Sequence, residues 1–172
     1  MEAIAAQPGA GEIGAMNFTH PNEGATGMLT HRGTVYPWHC DHMGHMNVMW
    51  YVGRFDEATW QFFHAVGLSP SLLREQGRGM AAVEQRIGYL RELHAGAVLS
   101  ICTNVDEVHA KRLVFTHEMV NDETGAVAAR CTLVGVHMDT VARKSCPLPD
   151  TVVAAARALL PVAQPEPART SD

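Results

Sequence analysis

The pattern of apolar and polar positions splits the chain near residue 79. Before that point one long stretch keeps helical spacing, with Val48, Tyr51, Val52, Phe55, Thr59, Phe62 and Val66 on a core-facing stripe. Met49, Trp50, Trp60 and Phe63 extend apolar surface well round the same cylinder, interrupted only by Gly53, Arg54, Asp56, Glu57, Gln61 and His64. Asn47 is placed to cap this helix as it opens at Val48, and Gly67 to close it. Residues 28–36 read as a strand ahead of it, ended by Pro37, which has no N–H to give a ladder. Residues 69–76 form a second, short helical stretch. From Gly79 the period changes to two, and residues 81–90, 97–108, 112–120 and 126–138 alternate as four strands. The links between them are short, which predicts a meander of antiparallel neighbours. Asp150 then caps an Ala-rich helix over 151–160.

This order predicts an α+β fold. A sheet with one helix inserted after its first strand buries that helix only by curling round it, because no second helical layer shares the load. The Trp and Met side chains left over on the helix predict a homodimer that covers the remainder. Residues 1–27 and 161–172, rich in Gly, Ala and Pro, are expected as a flexible arm and tail around a domain over 28–160.

Composition narrows the function classes. A net charge of -5 with no basic stripe argues against broad binding to nucleic acid or to anionic membranes. The first residues, MEAIAAQPGAGEIG, lack the basic and apolar regions of a secretory signal, and no run is long enough to cross a bilayer, so a cytoplasmic location is expected. Cys40, Cys102, Cys131 and Cys146 are scattered, and reduced thiols are the expectation for each.

The candidate chemistry lies between strand and helix. Asp41-x-x-Gly44, then His45-x-Asn47 and Tyr51, followed by Phe55, Asp56 and Ala58, resemble the hotdog-fold acyl-CoA thioesterases of the 4-hydroxybenzoyl-CoA thioesterase type. That resemblance implies a curved antiparallel sheet wrapped around one long central helix. It implies thioester hydrolysis with Asp41 as the catalytic carboxylate, the carbonyl held by the backbone N–H near Val48, and no metal or redox cofactor. It also implies an acyl-CoA substrate and a homodimeric or homotetrameric assembly. The residues agree on physical grounds: a thioester carbonyl under attack gathers negative charge on oxygen, and the first turn of a helix offers unpaired N–H groups and a positive dipole end. Asp41 then serves as nucleophile or as general base on water.

Other assignments compete. An Asp ahead of a helix is ordinarily a cap or turn residue, but Asn47 is better placed to cap, which leaves Asp41 without an obvious structural duty. His45 is expected to orient the loop, or to bond Asp41 or a carbonyl. His39, Cys40, His42 and His45 invite a metal reading, yet they lack the distant second ligand pair of a structural zinc site. Glu57 is the second candidate carboxylate, its plain alternative being an ion pair. Trp38, Gly44, Trp50 and Tyr51 are candidates to line the acyl site, and a Trp face also suits a quaternary ammonium. Lys111 and Arg112 are the best-placed pair for the CoA phosphates, since no phosphate-cradling glycine loop and no G-x-S-x-G elbow is present. A hotdog enoyl-thioester hydratase, for which an Asp and His five apart are expected, and a non-catalytic acyl-CoA binder stand as alternatives.

Overall fold

The structure, a computed structural model, describes residues 27–161. Apart from Gly27 and Pro161, the expected arm and tail lie outside the described residues. The elements run β1 (Met28–Thr34), α1 (Val48–Ala65), α2 (Pro70–Glu75), β2 (Arg78–Tyr89), β3 (Val98–Val108), β4 (Arg112–Asn121), β5 (Val127–Asp139), β6 (Lys144–Ser145) and α3 (Asp150–Arg157). Between β1 and α1 a single 3-10 turn spans Pro37–His39. Among these residues no helix is long and apolar enough to cross a membrane.

All strands pair antiparallel in the order β1-β3-β4-β5-β2, with β6 added against β5. Alternation decides which side chains meet α1. Leu113, Phe115, His117 and Met119 of β4 point inward and are fully buried, as are Leu99 and Ile101 of β3. From α1 they receive Phe55, Ala58, Phe62 and Phe63. The sheet therefore curls around one central helix, as the resemblance implies.

Three expectations need correction. The four later strands do not form one meander: β3, β4 and β5 do, but β2 pairs with β5 at the far edge. Strand β3 already has β1 and β4 as neighbours, so the segment after β2 crosses beneath the start of α1 instead of turning back. Strand β1 stops at Thr34, because Tyr36 opens the 3-10 turn. Asp150 lies inside the first turn of α3, whose N-cap position is held by Pro149 without a side-chain bond.

One polar chain runs through the core. The Thr59 hydroxyl donates to the Phe55 carbonyl at 2.8 Å, so at 2.9 Å it accepts from Nε2–H of His117. Nδ1 of His117 then accepts from the Thr103 hydroxyl at 2.8 Å, and Thr103 lies 2.8 Å from the Thr30 hydroxyl. Burial pushes His117 down to about 3, so the imidazole is neutral. The chain fastens the middle of α1 to β4, β3 and β1.

Candidate active site

The loop before α1 is closed at its base by an isolated bridge between Cys40 and Met46. At its tip the Gly44 N–H donates to the Asp41 carbonyl at 3.0 Å, and the Asp41 N–H to the His45 carbonyl at 3.1 Å. Such a tight turn needs a left-handed residue, and Gly44 supplies it at φ +82°. The crossing segment supports the loop from below: Met46 N–H donates to Leu93 O at 2.7 Å, and His94 Nδ1 sits 3.1 Å from Gly44 O. Neither Leu93 nor His94 stands out in the sequence.

Asp41 is not idle structurally. Its Oδ1 accepts the Met43 N–H at 2.9 Å, an Asx turn, and its Oδ2 accepts the Asn47 amide at 2.8 Å. Asn47 meanwhile turns its own oxygen onto the Met49 N–H at 3.0 Å, the N-cap that the spacing predicts. One side chain thus links the carboxylate to the first turn of the helix. The Met43 N–H first, and the Asn47 amide second, hold the Asp41 carboxyl below its ordinary value, so it is ionised. Each oxygen has spent one of its acceptor positions. Val48, the first residue of α1, has no carbonyl one turn back to receive its N–H. The Asp41 carboxylate is therefore tied to the amide end of the helix through one side chain.

The remaining candidates divide. His45 meets a carbonyl, one of the partners expected for it: its Nδ1 lies 3.3 Å from Met46 O and its Nε2 3.7 Å from Glu92. His39 is buried, its Nδ1 accepting the Tyr36 N–H at 3.0 Å and its ring lying 4.3 Å from that of Trp50. Desolvation, then the Arg54 charge, lowers its pKa, so it is neutral with the proton on Nε2. Trp38 is exposed and stacked at 4.5 Å on Tyr36, an aromatic partner that sequence reading passed over. Tyr51 is buried edge-on to Tyr89, its hydroxyl 3.4 Å from Arg91 O, and belongs to the wall of the core. Among the described residues no three His, Cys, Asp or Glu side chains gather as a metal would require.

Lys111 and Arg112 sit in or next to the β3–β4 turn, at the opposite end of the sheet from the Asp41 loop. Eleven residues of β3 separate the two ends, about 35 Å of extended chain. Arg112 is moreover engaged with Glu107 at 3.7 Å and His109 at 3.2 Å. A meander puts successive turns at alternate ends, which is why a basic turn cannot be assigned to a site by sequence alone. Glu57 is clamped by Arg54 at 3.0 Å and by His31 at 3.4 Å, and serves to fasten α1 to β1.

Asp41 stands at an open rim. It lines neither the cavity on the outer sheet face, around Glu84, Arg86 and Glu107, nor the one between α1 and β2. Beside it, Val48, Met49, Val52 and Trp60 leave an apolar face of α1 exposed.

Known proteins resemble this chain in sequence and fold. A family described as the thioesterase-like superfamily matches residues 35–156. The bifunctional L-carnitine dehydrogenase/betainyl-CoA thioesterase of Agrobacterium fabrum is 30% identical over 115 residues, 67% of this chain. The chain spans 23% of that relative's length. A Staphylococcus aureus protein solved in complex with CoA superposes with a TM-score of 0.72 at 24% identity, over 83% of this chain and 93% of that one. The 1,4-dihydroxy-2-naphthoyl-CoA thioesterase of Synechocystis gives 0.69 at 22% identity, over 77% and 98%. With a family match across most of its described length and the matching curled sheet, the chain belongs to the thioesterase-like superfamily.

Proposed function

We propose that this protein hydrolyses acyl-CoA thioesters, adding water across the C–S bond to release a carboxylic acid and free CoA. The observation that carries this reading is the Asp41–Asn47–Met49 linkage, which ties an ionised carboxylate to the helix start. The carbonyl oxygen lies against the Val48 N–H, where the dipole of α1 favours the charge that develops. Asp41 either attacks the carbonyl carbon, forming an anhydride that water opens, or takes a proton from the attacking water. Its depressed pKa makes it a weak base and leaves it available as a nucleophile. CoA leaves as the thiolate, and water is the second substrate; no cofactor enters. Two of the relatives named above are thioesterases for different acyl-CoAs and a third was solved with CoA, and a shared CoA with its own acyl group is expected here.

The working unit we infer is a homodimer or homotetramer. The exposed face of α1 continues onto β2, a free sheet edge with Val83 and Tyr89 exposed, and a second copy seated there would also close the open rim beside Asp41. We place the protein in the cytoplasm, in keeping with four unpaired cysteines, of which Cys102 and Cys131 are pushed up to about 11 by burial. Thiol release from a panel of acyl-CoAs tests the activity. Water addition to an enoyl-CoA without thiol release would replace this reading with a hydratase, and saturable binding with neither would replace it with a carrier. Single-turnover hydrolysis in 18O-labelled water separates the two roles of Asp41. Label in the Asp41 carboxyl after one turnover, with an unlabelled product, identifies Asp41 as a nucleophile whose anhydride water opens at the aspartyl carbon; label in the product alone is the result expected of a general base or of an anhydride opened at the acyl carbon, and trapping of the acyl-enzyme with hydroxylamine separates those two.

A further inference from the structure

We propose that His94 is a positioning residue for the reaction, holding the turn that carries Asp41 and acting on the thioester only through that carboxylate. The role in catalysis rests on the hydrolase reading above.

The need for such a residue follows from where the Asp41 bonds go. One carboxylate oxygen is tied to Asn47 and so to α1, but the other is tied to the Met43 N–H, at the tip of the turn. Packing does little for that tip. His42, Met43 and Gly44 are exposed, and a side-chain carbon placed on Gly44 would meet nothing within 4 Å. When the tip swings, the Met43 N–H goes with it, and one of the two bonds that aim the carboxylate is lost.

The segment crossing from β2 to β3 meets this loop with three consecutive residues. At the base, where both side chains are buried, Leu93 O accepts the Met46 N–H at 2.7 Å. His94 reaches the tip, its Nδ1–H donating to Gly44 O at 3.1 Å, since a carbonyl only accepts. The Gly44 N–H donates on to Asp41 O at 3.0 Å, so the line from ring to reactive residue is two bonds long. Glu92 stands to one side, its carboxylate 3.8 Å from His94 Nε2 and 3.7 Å from His45 Nε2, where it pairs with either ring when that ring is protonated. Among the described residues, His94 and Glu92 are the only side chains from outside the loop that bond or pair with residues 42–45. The His94 ring is itself exposed, so its removal opens no cavity in the core.

The test separates the ring nitrogens. Asparagine carries an amide N–H at the place of Nδ1 and nothing at the place of Nε2, whereas alanine carries neither. On the best acyl-CoA substrate, His94→Ala should lower kcat about tenfold to thirtyfold, with KM within about threefold of the parent and the urea midpoint unchanged. His94→Asn should bring kcat back to within about threefold. Added to Asp41→Asn, His94→Ala should lower the remaining rate by no more than about twofold, because a group that acts through the carboxylate has nothing left to act on. Parent-like kcat in His94→Ala, no recovery in His94→Asn, or an additive loss in the double variant would each overturn the proposal. So would a loss in Glu92→Gln as large as that in Asp41→Asn, which would make Glu92 the reacting carboxylate. If the parent releases no thiol from any acyl-CoA, the hydrolase reading fails and the catalytic role with it, and hydrogen exchange decides the hold on the turn alone. The Met43 amide, followed by NMR, should exchange at least about fivefold faster in His94→Ala than in the parent or His94→Asn; equal exchange in all three would refute that hold.

Discussion

Helix α1 carries two polar clusters built to opposite ends. In its middle, Thr59, His117 and Thr103 are bonded to one another, to the Phe55 carbonyl and to Thr30, sealed from water. At its start, Asp41 and Asn47 are also bonded, yet the carboxylate keeps open acceptor positions at the surface. The first cluster has nothing left to offer a substrate and can only hold the helix in place. The second is fixed by the fold and still has capacity to react. What distinguishes the proposed site is unspent hydrogen-bonding capacity on a group held by two bonds.

Substitutions should separate the two clusters cleanly. The largest effect is expected from Asp41→Asn, which keeps the side-chain shape and one of the two accepted bonds while removing the charge: turnover should drop by about two to four powers of ten, with a urea midpoint lowered only by the loss of one exposed hydrogen bond. A parent-like rate would move the chemistry to another carboxylate. His117→Ala should do the reverse, lowering stability by about 2–4 kcal/mol through a cavity and two orphaned hydroxyls. Urea titration measures that cost, and kcat of the molecules still folded should stay within about threefold of the parent.

The same imidazole predicts an acid sensitivity. Its folded pKa is about 3, below the unfolded value of about 6.5, so the stability it confers is complete above pH 6.5. As pH falls from 6.5 towards 3 the unfolded chain gains a proton that the folded one refuses, and about 1.4 kcal/mol is lost per pH unit. Unfolding curves for the parent and His117→Phe, compared over that range, should differ by this slope. The smallest effect is expected from Asn47→Ala, about 1 kcal/mol from the lost cap. It should also raise the acid limb of kcat/KM, since the Asn47 amide helps to depress Asp41. An acid limb that does not move would show that the helix start and the carboxylate are uncoupled.

How much of this was legible in the residues depended on range. The D-x-x-G-H-x-N run is local, and so are the turn at Gly44 and the cap at Asn47, all of which the structure places as expected. The period of α1 gave its bounds, from Val48 through the glycine at 67. Period two marks a strand but carries no partner, so the β2–β5 pairing and the separation of Lys111 and Arg112 from Asp41 were out of reach. Asn47 was readable as a cap and not as a clamp on Asp41, because a side-chain amide has two ends and a sequence shows neither direction. His117 did leave a signal that went unused: a lone imidazole in the inward register of Leu113, Phe115 and Met119 implies a buried partner.

The long free margin of β2 has a practical corollary for anyone handling this protein. The outward main-chain groups of this twelve-residue strand, whose other side is bonded to β5, can template the addition of a stray extended peptide, with Val83 and Tyr89 uncovered beside them. If the proposed assembly joins copies along this margin, dilution that parts them leaves each margin adhesive, and recovery on reconcentration should be incomplete unless a charged residue is introduced at Val83.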